Sequence, residues 1–442
     1  MYLPLSVLHL AAFISQVSAK SLYDNPEQDP LPPSQESTLE ELHKKWDFEW
    51  GFTGISTFAH LKHVKCLTSP HQPFDIGIIG CPFDTAVSYR PGARFGPRAI
   101  RAASSRQTSF RGFNHRAALN PYTTPFTIFD CGDIPVTPFD NNLALRQMSE
   151  AYRELGSRAA AINPKPKPQP QPHPSSTSSS SNAITQQPWS RPKLLTLGGD
   201  HSLSLPALRA LSKLYGSPIS ILHFDAHLDT WHPYKYPSSW SPPNSNPQGD
   251  LSDPASFNHG SMFHLASLEG LIHNSTSVHG GLRTRLSGSD FSDYADDDQA
   301  GFLRIHSDDI DDLGINRIVE MIMQRIGTEN PVYLSVDIDV LDPGLAPGTG
   351  TPEPGGWTSR ELIRILRGVE RLNVVGADVV EVAPMYDAGG GEATALAAAQ
   401  VVFEILTSMV KRGIGEMELG RGSGSGSGGT RGEEQGTKRD EL

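Results

Sequence analysis

Three apolar stretches of this chain each end in a cluster of carboxylates and imidazoles. One of them, residues 331–334, leads into Ser-Val-Asp-Ile-Asp-Val-Leu-Asp-Pro at residues 335–343. Residues two apart in a strand share a face, so Asp337 and Asp339 are predicted to point the same way at the end of a buried strand. Two buried carboxylates repel each other, which predicts a positive group between them. The alternative is a solvated strand end.

The same pattern occurs twice more along the chain. A second apolar stretch precedes Asp225, His227 and Asp229, which alternate in the same way, and residues 193–197 lead into Gly-Gly-Asp-His-Ser, which contains His201. Open α/β sheets bind their ligands at the carboxyl ends of the strands. The repeated strand-then-helix pattern therefore favours one large α/β domain with a polar site at one edge of its sheet.

The residue types in these clusters suit a pair of Mn²⁺ ions. Carboxylate oxygen with imidazole nitrogen, and without thiolate, fits Mn²⁺ better than a structural zinc site. Each ion would have four ligands, two of them shared. The ligands of one ion are His201, Asp225, Asp229 and Asp337. The ligands of the other are Asp225, His227, Asp337 and Asp339. Four carboxylates neutralise two divalent ions, and such a pair makes a nucleophile from water near neutral pH.

The motifs Gly-Gly-Asp-His-Ser, Asp-Ala-His-Leu-Asp and Ser-Val-Asp-Ile-Asp-Val-Leu-Asp-Pro resemble the three signature motifs of the ureohydrolase family, the arginases, agmatinases and their relatives with two manganese ions. The resemblance extends over residues 74–413. It implies a three-layer αβα fold with a central parallel sheet in a single catalytic domain. It also implies hydrolysis of a guanidinium group to urea and an amine, in a homo-oligomer that is a trimer or hexamer.

Further segments resemble the agmatinase branch of this family most closely, namely residues 89–101, 259–272 and 348–353. The resemblance implies that His259 is the proton-shuttling histidine that protonates the leaving amine, a role suited to imidazole near neutral pH. It also implies that Glu381, which follows an apolar run, binds the guanidinium group. A buried carboxylate pairs well with that planar, always protonated group.

These observations predict a small cationic guanidino compound as substrate, with agmatine cleaved to putrescine and urea. A hydrolase of 4-guanidinobutyrate or an arginase is the alternative. Arginine carries an α-carboxylate that needs donors in the segment after Asp229. That segment is rich in proline and serine, contains Lys235, Asp250 and Asp253, and offers no arginine, which favours agmatine.

Two alternative functions outside the ureohydrolase family are also compatible with the sequence. A two-metal phosphoesterase would need basic groups at the pocket, and Arg90, Arg94 and Arg283 are available. A non-catalytic guanidine-binding protein would be expected to have lost metal ligands, and none is missing. The net charge of −12 without a basic stripe argues against nucleic acid as a partner.

Composition divides the chain further. We expect an N-terminal extension at residues 20–72 and a catalytic domain at residues 73–415. Residues 163–190 are full of proline, glutamine and serine and are predicted to be a disordered insertion. Residues 231–258 form a Pro/Ser-rich loop that either covers the pocket as a lid or is a passive insertion.

Both ends of the chain carry features of the secretory pathway. Residues 1–19 read as a signal peptide with an apolar core, although the basic start is missing. The segment is too short to span a membrane as a helix, and no other stretch is expected to span one. Residues 416–442 are predicted to be a flexible tail, and the final Arg-Asp-Glu-Leu resembles the signal read by the ER retrieval receptor. We therefore expect residence in the ER lumen, or secretion if the signal is weak.

The chain contains three cysteines and a glycosylation sequon. We expect Cys66, Cys81 and Cys131 to be buried free thiols, and one disulfide with an odd thiol left over is the alternative. Asn274 begins an Asn-Ser-Thr sequon and is a candidate glycosylation site.

Overall fold

The computed structural model of the chain describes residues 55–162, 189–236, 256–387 and 392–422, with side chains up to residue 418. Several predictions fall on the remaining residues and lie outside the described part. They concern the signal peptide, the start of the N-terminal extension, most of the low-complexity insertion and of the Pro/Ser-rich loop, and the retrieval-like end.

Eight parallel strands form the centre of the fold, in the order β2-β1-β3-β8-β7-β4-β5-β6. Four of these strands are buried along their whole length and two more are buried except at their first residue, as expected for a parallel sheet covered by helices on both faces. The strands are β1 (Ile76–Cys81), β2 (Ile128–Asp133), β3 (Lys193–Gly198), β4 (Ser220–Phe224), β5 (Ser277–Leu282), β6 (Phe302–His306), β7 (Pro331–Asp337) and β8 (Asn373–Val380).

Two layers of helices cover this sheet. Helices α2 to α5 pack in sequence against one another on one face, and α1, α8, α7 and α6 pack in that order on the other. Neighbouring residues of β1 show the division, because Ile78 packs into one core cluster and Ile79 into the other. The longer helices are α1 (Gly96–Ala103), α2 (Asn141–Gly156), α3 (Ser204–Tyr215), α4 (Met262–Leu268), α5 (Ser292–Ala300), α6 (Asp309–Ile326), α7 (Ser359–Gly368) and α8 (Ala393–Gly422). The predicted three-layer αβα fold with a central parallel sheet is confirmed.

Local sequence signals set several helix ends. Thr358 and Glu361 form a capping box at the start of α7, in which each side chain accepts a hydrogen bond from the other's backbone N–H. Gly216 ends α3 with φ of 67°, a conformation that glycine adopts without steric cost. One predicted boundary differs from the structure, because α8 continues beyond the predicted domain end at residue 415.

Helix α8 is long and apolar enough to cross a membrane, contrary to the expectation that no stretch of the chain could do so. Its apolar residues serve the core instead, since Val402, Leu406 and Val410 are fully buried against the other helices and the sheet. Length and composition alone cannot separate a central core helix from a membrane span.

The described end of the predicted N-terminal extension, residues 55–72, is part of the same packing unit as the sheet. A disulfide joins Cys66 to Cys131 of β2, and the backbone N–H of Phe58 donates to Asp130 Oδ2 at 2.8 Å. The expectation of three free thiols is therefore wrong, and Cys81 alone is a free, buried cysteine. Spacing could not reveal the pair, because the two cysteines are 65 residues apart and only the fold brings them together.

Candidate active site

Four neighbouring strands, β3, β8, β7 and β4, deliver the predicted site residues at their carboxyl ends. His201 and Glu381 follow β3 and β8, Asp337 is the last residue of β7, and Asp225 follows β4. Because these strands are adjacent and parallel, side chains from four separate parts of the sequence meet at one edge of the sheet.

The carboxylates were predicted to converge because they alternate along the strands, and this part of the prediction is wrong. Strand β7 ends at Asp337, and Asp339 lies in a single 3₁₀ turn whose start Asp337 caps by accepting the backbone N–H of Asp339 at 2.9 Å. Strand β4 ends before Asp225, and Asp229 has a φ of 53°. The correct residues meet because the chain bends immediately after each strand, and Asp side chains stabilise such bends by accepting local N–H groups.

Five of the six predicted metal ligands form two groups that share Asp225. His201 Nδ1 lies 3.0 Å from Asp225 Oδ2 and 3.0 Å from Asp229 Oδ2. His227 Nδ1 lies 3.2 Å from Asp225 Oδ1 and 3.1 Å from Asp339 Oδ2. Asp225 therefore offers one oxygen to each group, which is the geometry of a bridging ligand.

Asp337, the sixth predicted ligand, belongs to the first group through Oδ2, which lies 3.3 Å from His201 Nδ1. Its Oδ1 accepts the backbone N–H of Asp339. Within the described residues its contacts with histidine are limited to His201, so the second bridge has less geometric support than the first.

The hydrogen bonds of His201 indicate whether the site fits a cation. Its Nε2 lies 2.7 Å from Ser335 Oγ, and that hydroxyl donates at 2.6 Å to Asp378, so the hydroxyl accepts the Nε2 proton of His201. Nδ1 is then an unprotonated, buried nitrogen without a hydrogen-bond partner, and it faces the oxygens of three carboxylates. Lone pairs arranged in this way repel one another unless a cation lies between them, so the residues fit a bound metal ion.

The charges of the site lead to the same conclusion. Burial and the charges of Asp339 and Asp225 raise the pKa of Asp337 well above its ordinary value. Burial and Asp225 also raise the pKa of Asp339 to about 6. Carboxylates that are so hard to ionise next to one another need compensating positive charge, which two divalent ions would provide.

Glu381 lies beside this cluster in a strained conformation, with φ of 60° although it is not glycine. Its Oε1 accepts the backbone N–H of His201 at 2.9 Å and contacts His259 Nδ1 at 3.0 Å. Its Oε2 is buried and has no hydrogen-bond partner. A side chain at Gly350 would place its Cβ 3.6 Å from that oxygen, so glycine leaves room for a ligand there.

His259 is held at both ring nitrogens. Nε2 accepts the backbone N–H of Ser88 at 2.9 Å, so Nδ1 carries the proton and donates it to Glu381 Oε1. Burial by itself would lower the pKa of His259, but the hydrogen bond and the charge of Glu381 outweigh it and raise the pKa above the usual value. The ring is placed to carry a proton near neutral pH, and it contacts the predicted guanidinium-binding carboxylate rather than the metal ligands.

Sequence reasoning missed the residues behind the predicted ligands. His223 lies on β4 with Nε2 at 2.9 Å from Asp225 Oδ2, and it belongs to the same potential metal-binding group as His201. Asp378 receives hydrogen bonds from Tyr333 and Ser335 beneath His201. The signal for His223 was present, because it continues the alternation of Asp225 and His227 one step upstream.

Two of the three arginines considered for a phosphate site already bind other groups of the protein. Arg94 forms an ion pair with Asp84, and Arg283 donates to the backbone oxygens of Asp339 and Glu353, each at 2.6 Å. Arg94 alone of the three has a carboxylate partner, and Arg90 is the one whose guanidinium makes no hydrogen bond in the described structure. The phosphoesterase alternative therefore loses most of its basic groups.

The sequon residue Asn274 lies in an exposed turn between α4 and β5, away from the site.

Comparison with known proteins agrees with this geometry. The model of the arginase family matches residues 74–407. A Schizosaccharomyces pombe protein named "Putative agmatinase 3" is 46% identical over 376 residues, covering 85% of this chain and 84% of that protein. The guanidinopropionase of Pseudomonas aeruginosa is 35% identical over 355 residues, covering 80% of this chain and 92% of that protein.

A solved structure shares the architecture. The proclavaminate amidino hydrolase of Streptomyces clavuligerus superposes with a TM-score of 0.64 at 32% identity, covering 82% of this chain and 100% of that one. The family match spans most of the chain and contains every predicted ligand as well as His259 and Glu381. The chain therefore belongs to the arginase family of ureohydrolases and is a hydrolase of that family.

Proposed function

We propose that this protein is a dimanganese ureohydrolase that cleaves agmatine to putrescine and urea. The observation that carries the proposal is Glu381 Oε2, a buried carboxylate oxygen without a partner beside the metal-binding cluster. An unpaired buried carboxylate is costly, and a guanidinium group would satisfy it with a charge-assisted hydrogen bond. The space in front of Gly350 leaves room for that group.

The residues around the bound guanidinium have separate roles in the proposed reaction. Two Mn²⁺ ions, when bound, would supply a nucleophile from water near neutral pH. Glu381 orients the guanidinium through Oε2, while its Oε1 remains held by His201 and His259. His259 transfers a proton to the departing amine, and Ser88 fixes the orientation of its ring.

The far end of the substrate decides between agmatine and arginine. Lys235 is the only lysine or arginine among residues 230–236, the described start of the segment after Asp229. It pairs with Asp293 at 3.0 Å and donates to Ser292, so its charge is already compensated. An α-carboxylate would therefore find no free cation there, which supports agmatine over arginine.

One observation favours 4-guanidinobutyrate as a second candidate. The guanidinium carbon of Arg90 lies 5.0 Å from the ring centre of Tyr89 and 5.2 Å from that of Tyr386. The backbone oxygen of Arg90 lies 2.8 Å from a Cβ built on Gly350, close to Glu381 Oε2. The backbone of Arg90 thus borders the binding cavity, and its guanidinium, which has no carboxylate partner in the described structure, could receive the terminal carboxylate of a guanidino acid.

A substrate comparison tests these alternatives. With manganese-loaded enzyme, kcat/KM for agmatine should exceed that for arginine at least ~100-fold, because a buried unpaired carboxylate costs several kcal/mol. Comparable values would refute agmatine preference. Higher activity on 4-guanidinobutyrate, lost in Arg90→Met and retained in the control Arg98→Met, would favour the second candidate. Arg98 is exposed on the same segment and serves as the matched change of charge.

We also infer that the protein acts in the secretory pathway. The Cys66–Cys131 disulfide supports this, because structural disulfides persist in oxidising compartments. The exposed position of Asn274 is compatible with glycosylation there. The trimer or hexamer implied by the family resemblance stays a prediction, and the mass of the purified enzyme in solution would test it.

A further inference from the structure

The shared carboxylate Asp225 has a second set of contacts, on the side away from the other predicted ligands. His223 Nε2 lies 2.9 Å from Asp225 Oδ2. His223 Nδ1 lies 2.7 Å from His279 Nδ1, and His279 Nε2 lies 2.9 Å from Asp297 Oδ1. All four residues are fully buried. Adjacent strands β4 and β5 bring the two histidines side by side, with His223 in register with His279.

The outer end of this chain is firmly held. Thr230 Oγ1 donates to Asp297 Oδ1 and Arg304 Nη1 donates to Asp297 Oδ2, each at 2.7 Å. Nearby charge lowers the pKa of Asp297 despite its burial, chiefly through His279, so the group is an anion. An anchored carboxylate of this kind can only accept hydrogen bonds, so His279 donates to it from Nε2. His223 can donate to Asp225 from Nε2 only if its Nδ1 accepts, so His279 also donates, from Nδ1, to His223.

Packing leaves the two rings little freedom to rotate. The ring of Phe302 stacks on His279 with a centroid distance of 3.8 Å and an interplanar angle of 13°. The ring of Phe263 meets His223 edge-on, at 4.9 Å and 74°. The orientation fixed at Asp297 is therefore passed through two clamped rings to the oxygen of Asp225 that also faces His201.

We propose that His279 and Asp297 are positioning residues for the dimetal site and act through His223 on the bridging carboxylate Asp225. Outer partners of this type orient metal ligands and commonly change metal affinity 10–100-fold when removed. Neither residue lies next to a predicted ligand in sequence, and neither touches the guanidinium-binding group. The inference rests on the proposed metal site but not on the identity of the guanidino substrate.

The competing possibility is that His223 is itself a ligand, since its ring lies close to His201, Asp225 and Asp229. The two arrangements differ in what removal of His279 does. In a positioning chain His223 donates to Asp225 from Nε2, so its Nδ1 accepts from His279, and both ions bind more weakly whenever residue 279 cannot donate on both sides. If His223 were a ligand, its Nε2 would carry no proton and its Nδ1 would donate to residue 279, so a side chain that accepts from His223 and donates to Asp297 would keep the wild-type manganese affinity.

Metal titration of the purified full-length chain tests the proposal. Metal-free wild type, His279→Leu, His279→Gln and Asp297→Asn are titrated with Mn²⁺ alone, with affinity read by calorimetry. His279→Leu and Asp297→Asn should weaken Mn²⁺ binding about 10–100-fold. His279→Gln should weaken it to a similar extent, because an amide that donates to Asp297 presents its oxygen to His223 and cannot donate to it. Wild-type affinity in His279→Gln would make His223 a ligand and overturn the proposal. Ser277→Ala, a buried hydrogen-bonding residue of the same strand outside the chain of contacts, is the matched control.

Kinetics provide the second readout. At saturating Mn²⁺, the KM of the variants for agmatine should stay at the wild-type value, and kcat should recover towards it as metal is added. Unchanged Mn²⁺ affinity in folded His279→Leu would overturn the proposal. If that variant does not fold, Asp297→Asn, which keeps the side-chain shape, replaces it. Unchanged Mn²⁺ affinity in Asp297→Asn would also overturn the proposal. A wild type that binds two ions without releasing urea would instead contradict the proposed function alone.

Discussion

At the scale of single residues, His259 is the group whose role the geometry separates most clearly from metal binding. It contacts Glu381 and Ser88, and its hydrogen bonds do not reach the predicted ligands. We expect His259→Asn to lower kcat by about 10²–10⁴-fold, the scale of general acid–base catalysis, with unchanged metal content. Steady-state kinetics and elemental analysis of the same preparation check this. Parallel loss of metal and activity would make His259 a ligand.

Asp337 carries a different prediction, since it is the proposed bridge with the weaker geometric support. Asp337→Asn removes half of its charge and should lose at least one of two manganese ions per chain, together with most urea release. Elemental analysis after gel filtration measures the stoichiometry. A variant that keeps two ions and full activity would show that Asp337 is not a bridge.

The residue scale also shows what alternation can and cannot predict. Asp225, His227 and Asp339 were correctly expected to share a site, because polar residues after apolar strands meet at one sheet edge. Their orientation was not predictable, since it arises from bends whose backbone angles, such as the positive φ of Asp229, depend on local hydrogen bonds and tertiary packing.

At the scale of elements, the buried strands that lead into the site were the predictable part. Strands β3 and β7 were expected where they occur, because an apolar run before a polar cluster is a local signal. The packing of residues 55–72 against β2 was not expected. That contact joins segments far apart in sequence, and no local pattern encodes it.

The disulfide of this edge gives a prediction at the same scale. Replacing both Cys66 and Cys131 by alanine should lower the free energy of unfolding by about 2–4 kcal/mol, since a cross-link restricts the unfolded chain. Denaturant unfolding with and without reductant measures it, and reductant should affect only wild type and the control Cys81→Ala. Denatured wild type should titrate one free thiol. Three free thiols would restore the original expectation from sequence.

At the scale of the whole molecule, the order of the parallel sheet follows from how the motifs must meet. Motifs after β3, β4, β7 and β8 can form one site only if these strands are neighbours, as they are. Family resemblance supplied the three-layer arrangement, whereas the insertions predicted from composition lie mostly outside the described residues and stay a prediction. Helix α8 was not expected to contain an apolar stretch long enough to cross a membrane. The helices and strands that surround it explain that stretch, because its apolar residues pack into the core.

The proposed localisation of the protein in the ER lumen can be tested at its last four residues, Arg-Asp-Glu-Leu. If a receptor reads this signal, deleting residues 439–442 should move the enzyme into the medium, because an N-terminal signal peptide without retrieval leads to secretion. Purified activity should stay intact, since the tail follows helix α8 and contributes no residue to the site described above.

The matched variant is Arg439→Lys, which brings the signal to its more common form and should retain the enzyme at least as well as wild type. Cell fractionation with an assay of the medium distinguishes these outcomes. An unchanged distribution after deletion would remove the basis for retrieval and leave the disulfide as the remaining support for an oxidising compartment. Release of both wild type and the deletion variant would instead identify a secreted enzyme whose terminal arginine makes the signal too weak to be read.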